Sequence, residues 1–321
     1  MQESAIALKP AEKSCPLCSG DRFRVLDKFP VSDLCAEYQR QLKVDVRSEF
    51  DPRIPDLQLE ECLDCGLQAF FPLISGSPAF YSSLSASEAY YSSSRWEFSQ
   101  ALRWIDAQAR VIDVGCGDGH FLSLIPHRDK MGLEFNPAAI AKARARGLDV
   151  RAERLADTPD HSADVITLFQ VLEHFVNPLD ELREAARSLR TSGFLLLSVP
   201  NNDEFIGEAI QHPSNAPPHH PLRWTKIALR FLPKRLPVQL REIVDEPLPA
   251  EQLFLYRRTL ITGAVARCLR TRLPLMRLNP ATVLLRKAAN ALTMISMKVH
   301  SRLPARPVSG HSMFAVFQKM T

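Results

Sequence analysis

The chain has 321 residues, 45% of them hydrophobic, and a net charge of +4 at neutral pH. That length suits two domains, or one with large additions; so small a charge selects no class of partner, and no run approaches the ~18 apolar residues of a membrane span. The first thirty residues lack the apolar stretch of a secretory signal, so the seven cysteines read as thiols of a reducing, cytoplasmic compartment, where metal ligation is favoured over disulfides.

Residues 1–14 read as a frayed leader. Cys15-Pro16-Leu17-Cys18 and Cys62-Leu63-Asp64-Cys65 then form two C-x-x-C knuckles, each able to offer two thiolates to one tetrahedral Zn²⁺. Gly20 and Gly66 suit the tight turns that such knuckles need. Four cysteines leave a zinc ion no open position, so the expected ion is structural, a staple for a segment (residues 1–72) too small to hold a core alone. Cys35, between the knuckles, reads as a buried thiol. Residues 73–100 have the Ser- and Pro-rich composition of a linker. Their aromatics (Phe80, Tyr81, Tyr90, Tyr91, Trp96, Phe98) nevertheless imply that the segment packs on something.

Val111-Ile112-Asp113-Val114 is a short β-branched run, the pattern of a buried parallel strand. Gly115, Gly117 and Gly119 follow at alternate positions, and then helical spacing (Phe121, Leu122, Leu124, Ile125). Strand, glycine turn and helix let the main chain pass close to a ligand over the strand's carboxyl end. The turn is not G-x-G-x-x-G; it is G-x-G-x-G after a strand carrying the acid Asp113. Cys116, inside the turn, reads as a side chain small enough to fit and not as a nucleophile.

This segment resembles motif I of the class I S-adenosylmethionine-dependent methyltransferases. The resemblance implies an α/β fold, a Rossmann-like seven-stranded sheet whose last strand is antiparallel, and S-adenosylmethionine as cofactor, held by Asp113, Gly115, Cys116, Gly117 and Gly119. It also implies that Tyr90, Tyr91 and Arg95 line a lid over the cofactor cleft. Lys130–Glu134 reads as the second strand. Its terminal acid can accept both ribose hydroxyls, with Phe135 beside it. Asn136-Pro137 caps a helix through Arg146. Leu148–Ala152 reads as a third strand, and the resemblance brings Glu153 after it to the adenine. Ala163–Leu168 is a fourth strand, which puts Phe169 and Gln170 where its carboxyl end faces cofactor and substrate. Glu173-His174 resembles a pair that orders this loop in the family, with direct chemistry as the other reading. A helix from Asn177-Pro178 to Ser192-Gly193 and a fifth strand over Phe194–Val199 complete the pattern.

Pro217-Pro218-His219-His220-Pro221-Leu222-Arg223-Trp224-Thr225 resembles a substrate-side segment of small-molecule and glycan methyltransferases. His219 or His220 is the candidate base, because imidazole titrates near neutrality; the alternative is a histidine that holds the loop. Thr225 reads as the N-cap of a helix through Leu232. Val238–Val244 and His311–Lys319 read as the sixth and seventh strands. Residues 246–307 intervene as a basic helical insertion: 246–306 hold eleven Arg or Lys against two Glu. Leu284, Leu285, Ala288, Leu292, Ile295 and Met297 interleave there with Arg286, Lys287 and Lys298. A helical subdomain with a solvated basic face is one reading. Peripheral membrane contact at a rim for an anionic, lipid-linked substrate is another, preferred over nucleic acid because no RNA-binding signature accompanies the charge.

The expected division is thus 1–72 zinc ribbon, 73–100 linker and lid, 101–245 methyltransferase core, 246–307 insertion and 308–321 final strand. A four-cysteine ribbon on this core is similar to methyltransferases acting on nucleotide sugars and surface polysaccharides. The resemblance therefore implies O-methylation of a sugar, polysaccharide or glycolipid unit, in the cytoplasm or peripheral at the inner membrane face. RNA or protein methylation, and a non-catalytic scaffold that only binds the cofactor, are the alternatives; an intact Asp113, Gly115, Gly117, Gly119 and Glu134 count against the scaffold.

Overall fold

The structure is a computed structural model, and it describes residues 13–85, 95–209, 211–268, 275–276, 278–299 and 307–321. It opens with β1 (Phe23–Pro30), α1 (Val31–Gln41), β2 (Asp56–Cys62), β3 (Gln68–Phe71), α2 (Pro78–Ser85) and α3 (Trp96–Leu102). The Rossmann-like part follows: β4 (Val111–Val114), α4 (His120–Leu124), β5 (Lys130–Leu133), α5 (Pro137–Ala145), β6 (Val150–Arg151), β7 (Ala163–Phe169), α6 (Pro178–Ser188) and β8 (Leu189–Pro200). Then come α7 (Phe205–Glu208), β9 (Leu222–Arg223), α8 (Lys226–Phe231), β10 (Val238–Pro247), α9 (Leu253–Cys268), α10 (Pro280–Val299) and β11 (Ser309–Lys319).

Seven strands form one sheet in the order β10-β11-β8-β7-β4-β5-β6. All four residues of β4 are buried, as a parallel strand covered on both faces requires. It pairs in parallel with β5 on one side and β7 on the other, so the winding direction reverses between β4 and β7. In open α/β sheets, ligands bind outside the carboxyl ends of the strands at such a switch point, and there Gly115–Gly119 begins. β11 is antiparallel to both β8 and β10. The expected α/β sheet with an inserted antiparallel last strand is therefore the observed one.

Boundaries moved where a local signal had two uses. The helix expected to stop at Ser192-Gly193 ends at Ser188, and β8 begins at Leu189. Ser192 is left-handed (φ +65°), and a Cβ at Gly193 would lie 2.8 Å from the Asp164 carbonyl. Ser-Gly marks an irregularity inside a strand rather than a helix cap.

A second sheet has the order β1-β2-β3-β9, antiparallel throughout. Leu57 and Leu59, two apart on β2, turn inward onto Phe29, Leu34, Tyr38 and Phe70. Phe80 of α2 and Ala216, from the loop before β9, complete this core, and the Tyr38 hydroxyl donates to the Ala216 carbonyl at 2.9 Å. The cysteine-bearing segment thus shares its core with residues more than a hundred positions away.

The insertion packs on this second unit. Arg286 of α10 lies 2.7 Å from the fully buried Glu37 of α1. Thr282, Ala289 and Thr293 face inward, whereas Leu284 (69% exposed), Leu292 and Ile295 face out. The apolar stripe read from the sequence is thus largely the outer face of α10, because small residues and a buried ion pair make the inner one. No helix among the described residues is long and apolar enough to cross a membrane.

Candidate active site

The glycine turn owes its shape to left-handed main chain at Gly115 (φ +68°), Gly117 (φ +54°) and Gly119 (φ +80°). A Cβ at Gly115 would come within 2.6 Å of Val171 Cγ2, and one at Gly119 would overlap Leu148. The floor is therefore main chain with no room for side chains. Its hydrogen bonds run to the next strand: the Gly115 and Cys116 N–H groups donate to the Leu133 carbonyl at 2.8 and 3.2 Å. The Glu134 carboxylate, just past β5, accepts from Gly117 N at 3.0 Å, Phe135 N at 2.7 Å and Asn136 N at 2.8 Å. The acid expected about twenty residues downstream thus faces the turn. Phe135 beside it is 65% exposed.

Asp113 lies beneath the turn, 3% exposed, and accepts the Thr167 hydroxyl at 2.6 Å. Burial pushes its carboxyl up to about 7, against the Thr167 hydrogen bond and with help from the Glu134 charge. Cys116 is buried, and burial raises its thiol far above the ordinary value, so it is no nucleophile. A Cβ at Gly132 would collide with its sulfur, so that glycine makes room for Cys116. Glu153 is exposed, beside Arg151 at 3.9 Å. Phe169 is largely buried in an aromatic cluster, 4.9 Å from Phe121 and 5.7 Å from Phe98 between ring centres. It supports the crevice from below. Tyr90 and Tyr91 lie outside the described residues; Arg95 is described, next to Glu97 at 3.8 Å.

Across the switch point the chain leaves β7 through Gln170, left-handed at φ +56°, whose amide donates to the Ser198 and Ser312 hydroxyls at 3.3 Å each. Val171 then closes over Gly115, and a 3-10 turn presents Glu173 and His174. Glu173 is 1% exposed, with neither carboxyl oxygen hydrogen-bonded to a side chain among the described residues. Burial pushes it up to about 8, countered by its own main-chain N–H and then by Arg95. His174 Nδ1 donates to the His219 carbonyl at 2.8 Å, with the Tyr81 hydroxyl 3.3 Å away. His219 Nδ1 lies 3.0 Å from the Ser214 carbonyl. The His219 and His220 rings stack at 4.3 Å, and His174 lies 4.7 and 4.8 Å from them. Burial lowers all three imidazoles, His174 to about 4 and the other two well below the ordinary value. They are neutral at physiological pH. His219 and His220 thus stand together with the loop that touches the glycine turn.

The sequence reading passed over two members of this assembly. Glu97 is 3% exposed and accepts the Ser198 hydroxyl at 3.2 Å. Tyr81 reaches His174, although only its aromatic neighbours hinted at packing. Neither residue lies in a motif.

Some distance from the turn, Cys15, Cys18, Cys62 and Cys65 bring four sulfurs within 4.8 Å of one another. Cys15–Cys65 and Cys18–Cys62 are 3.5 and 3.4 Å apart. Four soft donors at this spacing fit a tetrahedral metal. The Cys15 thiol is held below its ordinary value by the neighbouring Cys65 sulfur.

A family of proteins described as "Methyltransferase domain" matches residues 90–236. A probable S-adenosylmethionine-dependent methyltransferase of Mycolicibacterium smegmatis is 39% identical over 101 residues, 30% of this chain and 39% of that protein. The ubiquinone biosynthesis O-methyltransferase of Pseudomonas aeruginosa is 28% identical over 118 residues, 32% of this chain and 51% of that protein. The chain thus spans about two-fifths to half the length of these curated relatives. Among solved structures, an S-adenosylmethionine-dependent methyltransferase from Archaeoglobus fulgidus superposes with a TM-score of 0.44 and 15% identity, over 69% of this chain and 91% of that one. With the sheet order, the glycine turn and the facing acid in place, residues 90–236 are similar to a methyltransferase domain of the S-adenosylmethionine-dependent type.

Proposed function

We propose that the chain methylates an oxygen of a sugar, polysaccharide or glycolipid unit, with S-adenosylmethionine as donor. The observation that carries the reading is the Glu134 carboxylate, 3.0 Å from Gly117 N, on a main-chain turn that a side chain would fill. Gly115, Gly117 and Gly119 suit the donor's amino-acid end, and Glu134 its ribose hydroxyls. Phe135 and Glu153 would flank the adenine. When bound, the cofactor supplies an electrophilic methyl group on a sulfonium. The protein's part is to align an acceptor oxygen with that methyl, to exclude water and to take a proton. His219 or His220 would take it: both are neutral at physiological pH, although burial makes each a weaker base than the near-neutral imidazole expected from the sequence.

An O-acceptor is supported by the printed activity of the Pseudomonas aeruginosa relatives. The four cysteines would hold a structural Zn²⁺ that sets β3, and through it β9 and the histidine loop. Peripheral membrane contact through 246–307 is supported by its basic charge and by the outward Leu284, Leu292 and Ile295.

The test is calorimetry with S-adenosylmethionine, followed by incubation with nucleotide sugars and lipid-linked glycans and a search for a methyl mass gain. Affinity without turnover on any carbohydrate, together with methylation of RNA or protein, would replace the acceptor class. No affinity at all would leave only a scaffold. His219→Ala and His220→Ala should lower turnover at least tenfold and leave cofactor affinity nearly unchanged.

A further inference from the structure

We infer that His174, His219 and His220 form a second metal site, separate from the four cysteines, that binds a divalent transition metal of the zinc type. The three side chains come from segments 45 residues apart, yet their ligand nitrogens lie within 4.8 Å of one another. Tetrahedral ligation at ~2.1 Å needs nitrogens about 3.4 Å apart, which small rotations about the side-chain bonds supply.

Two further observations point to a metal. The first is the set of bonds behind the ligands. A metal-binding imidazole almost always donates its other N–H to a carbonyl or carboxylate, which fixes its tautomer. His174 Nδ1 is on the His219 carbonyl at 2.8 Å and His219 Nδ1 on the Ser214 carbonyl at 3.0 Å. Each of these two bonds calls for a proton on Nδ1 and leaves the lone pair to Nε2; His220 Nδ1 has no such partner among the described residues. The second is Glu173. Its carboxyl group is 1% exposed, has no hydrogen-bonding side chain among the described residues, and places Oε1 4.0 Å from His220 Nε2. Buried polar groups left without partners are costly, and a cation among the imidazoles gives this carboxylate its counter-charge. As a simple packing cluster, the same residues would leave this buried carboxyl without a hydrogen-bonding side chain among the described residues.

Three nitrogens with a carboxylate alongside leave a coordination position open, the arrangement of catalytic rather than structural sites. It lies on the loop whose Val171 packs over Gly115, so an acceptor oxygen bound there would be near the methyl donor. A metal-bound hydroxyl gives up its proton more readily than a free one. His219 and His220 would then act as ligands, and a metal held there would acidify the acceptor hydroxyl so that its proton could pass to solvent water, in place of removal by an imidazole base. Metal binding itself does not depend on the methyltransferase reading, because it is read without cofactor or acceptor.

The test uses the full chain, stripped of metal and titrated with Co²⁺, with bound metal counted at saturation. Thiolate ligation gives intense charge-transfer bands; nitrogen and oxygen ligation gives only weak visible bands. Two equivalents are expected, one of each kind. His174→Ala/His220→Ala should lose the weak-band equivalent, keep the thiolate one and still bind S-adenosylmethionine. Glu173→Gln, which keeps the volume, should weaken the second equivalent by about 10- to 100-fold. One thiolate equivalent in the wild type, or two equivalents retained in the double variant, would overturn the site. If the double variant does not fold, the wild-type stoichiometry and the Glu173→Gln titration decide. Failure of the methyltransferase reading would instead show as no cofactor affinity with both metal equivalents present.

Discussion

The two sides of the crevice are built in opposite ways. The cofactor side is nearly contiguous: residues 113–119 and 132–136 supply the strand, the turn and the acid, and most of its contacts are main chain. The facing side assembles Tyr81, Glu97, Gln170, Glu173, His174, His219 and His220, drawn from four stretches of chain. It rests on the four-stranded sheet, where β9 extends the cysteine unit. A site made by backbone shape can be written into a short motif. A site made by converging side chains needs a scaffold, and here the small N-terminal unit is a large part of that scaffold.

If that contrast is right, removing the cysteine unit should damage one side and spare the other. Cys62→Ser takes one donor from a set of four, and a structural zinc site contributes on the order of 10 kcal/mol to folding. Zinc content should fall by one equivalent, the unfolding midpoint by ~10 °C or more, and turnover to background. S-adenosylmethionine affinity, measured below the new midpoint, should stay within about threefold. A parallel collapse of cofactor affinity would mean that the two sides are not separable.

The converse variant is Gly115→Val. A β-branched residue at φ +68° is strained, and its Cβ would meet Val171 Cγ2 at 2.6 Å. Cofactor affinity should fall by at least about 100-fold by calorimetry, while zinc content is unchanged. Near-normal affinity would remove the turn from the site.

Asp113 sharpens the contrast on the cofactor side, because it sits under the turn without shaping it. Its folded-state value of about 7 stands above the ordinary 3.8. Its contribution to stability is therefore fully present below pH 3.8 and lost as the pH rises through about 7. Asp113→Asn cannot titrate and keeps an acceptor for Thr167. Relative to the wild type, its stability without cofactor should rise by roughly 3 kcal/mol between pH 4 and pH 8 in denaturant melts. A difference that is flat with pH would mean that Asp113 is ionised in the folded protein.

The same contrast explains what was legible. The strand at 111–114, the glycine turn, Glu134, the order of the large sheet and both cysteine knuckles follow from spacing within short windows. The helix end at 192 failed because Ser-Gly suits an irregular strand as well as a cap, and the choice was made by pairing with β7. The direction of the stripe on α10 was not legible, because periodicity gives an apolar face but not which way it points; the Arg286–Glu37 pair, 249 residues apart, sets that. His219 and His220 stood out as a doublet in a resembling segment. That His174 stacks on them, and that Glu173 lies there without a hydrogen-bonding side chain among the described residues, are tertiary facts that no local pattern carries.

The smallest effect tests the seam between the two units. Thr225 was legible as an N-cap, and its hydroxyl accepts from Ala228 N at 3.1 Å. The same oxygen donates to the Gly66 carbonyl at 2.9 Å, and so links the second cysteine knuckle to the first turn of α8. A solvent-exposed cap is worth about 1 kcal/mol. Here the residue is 2% exposed, so removing its hydroxyl also leaves the Gly66 carbonyl without that donor, at about 1–3 kcal/mol. Thr225→Ala should therefore cost about 2 kcal/mol in denaturant melts and make the zinc easier to chelate. Thr225→Ser, which keeps both hydrogen bonds, should recover most of the stability and all of the chelator resistance. Equal losses in the two variants would assign the effect to the methyl group's packing and not to the hydrogen bond with the second knuckle.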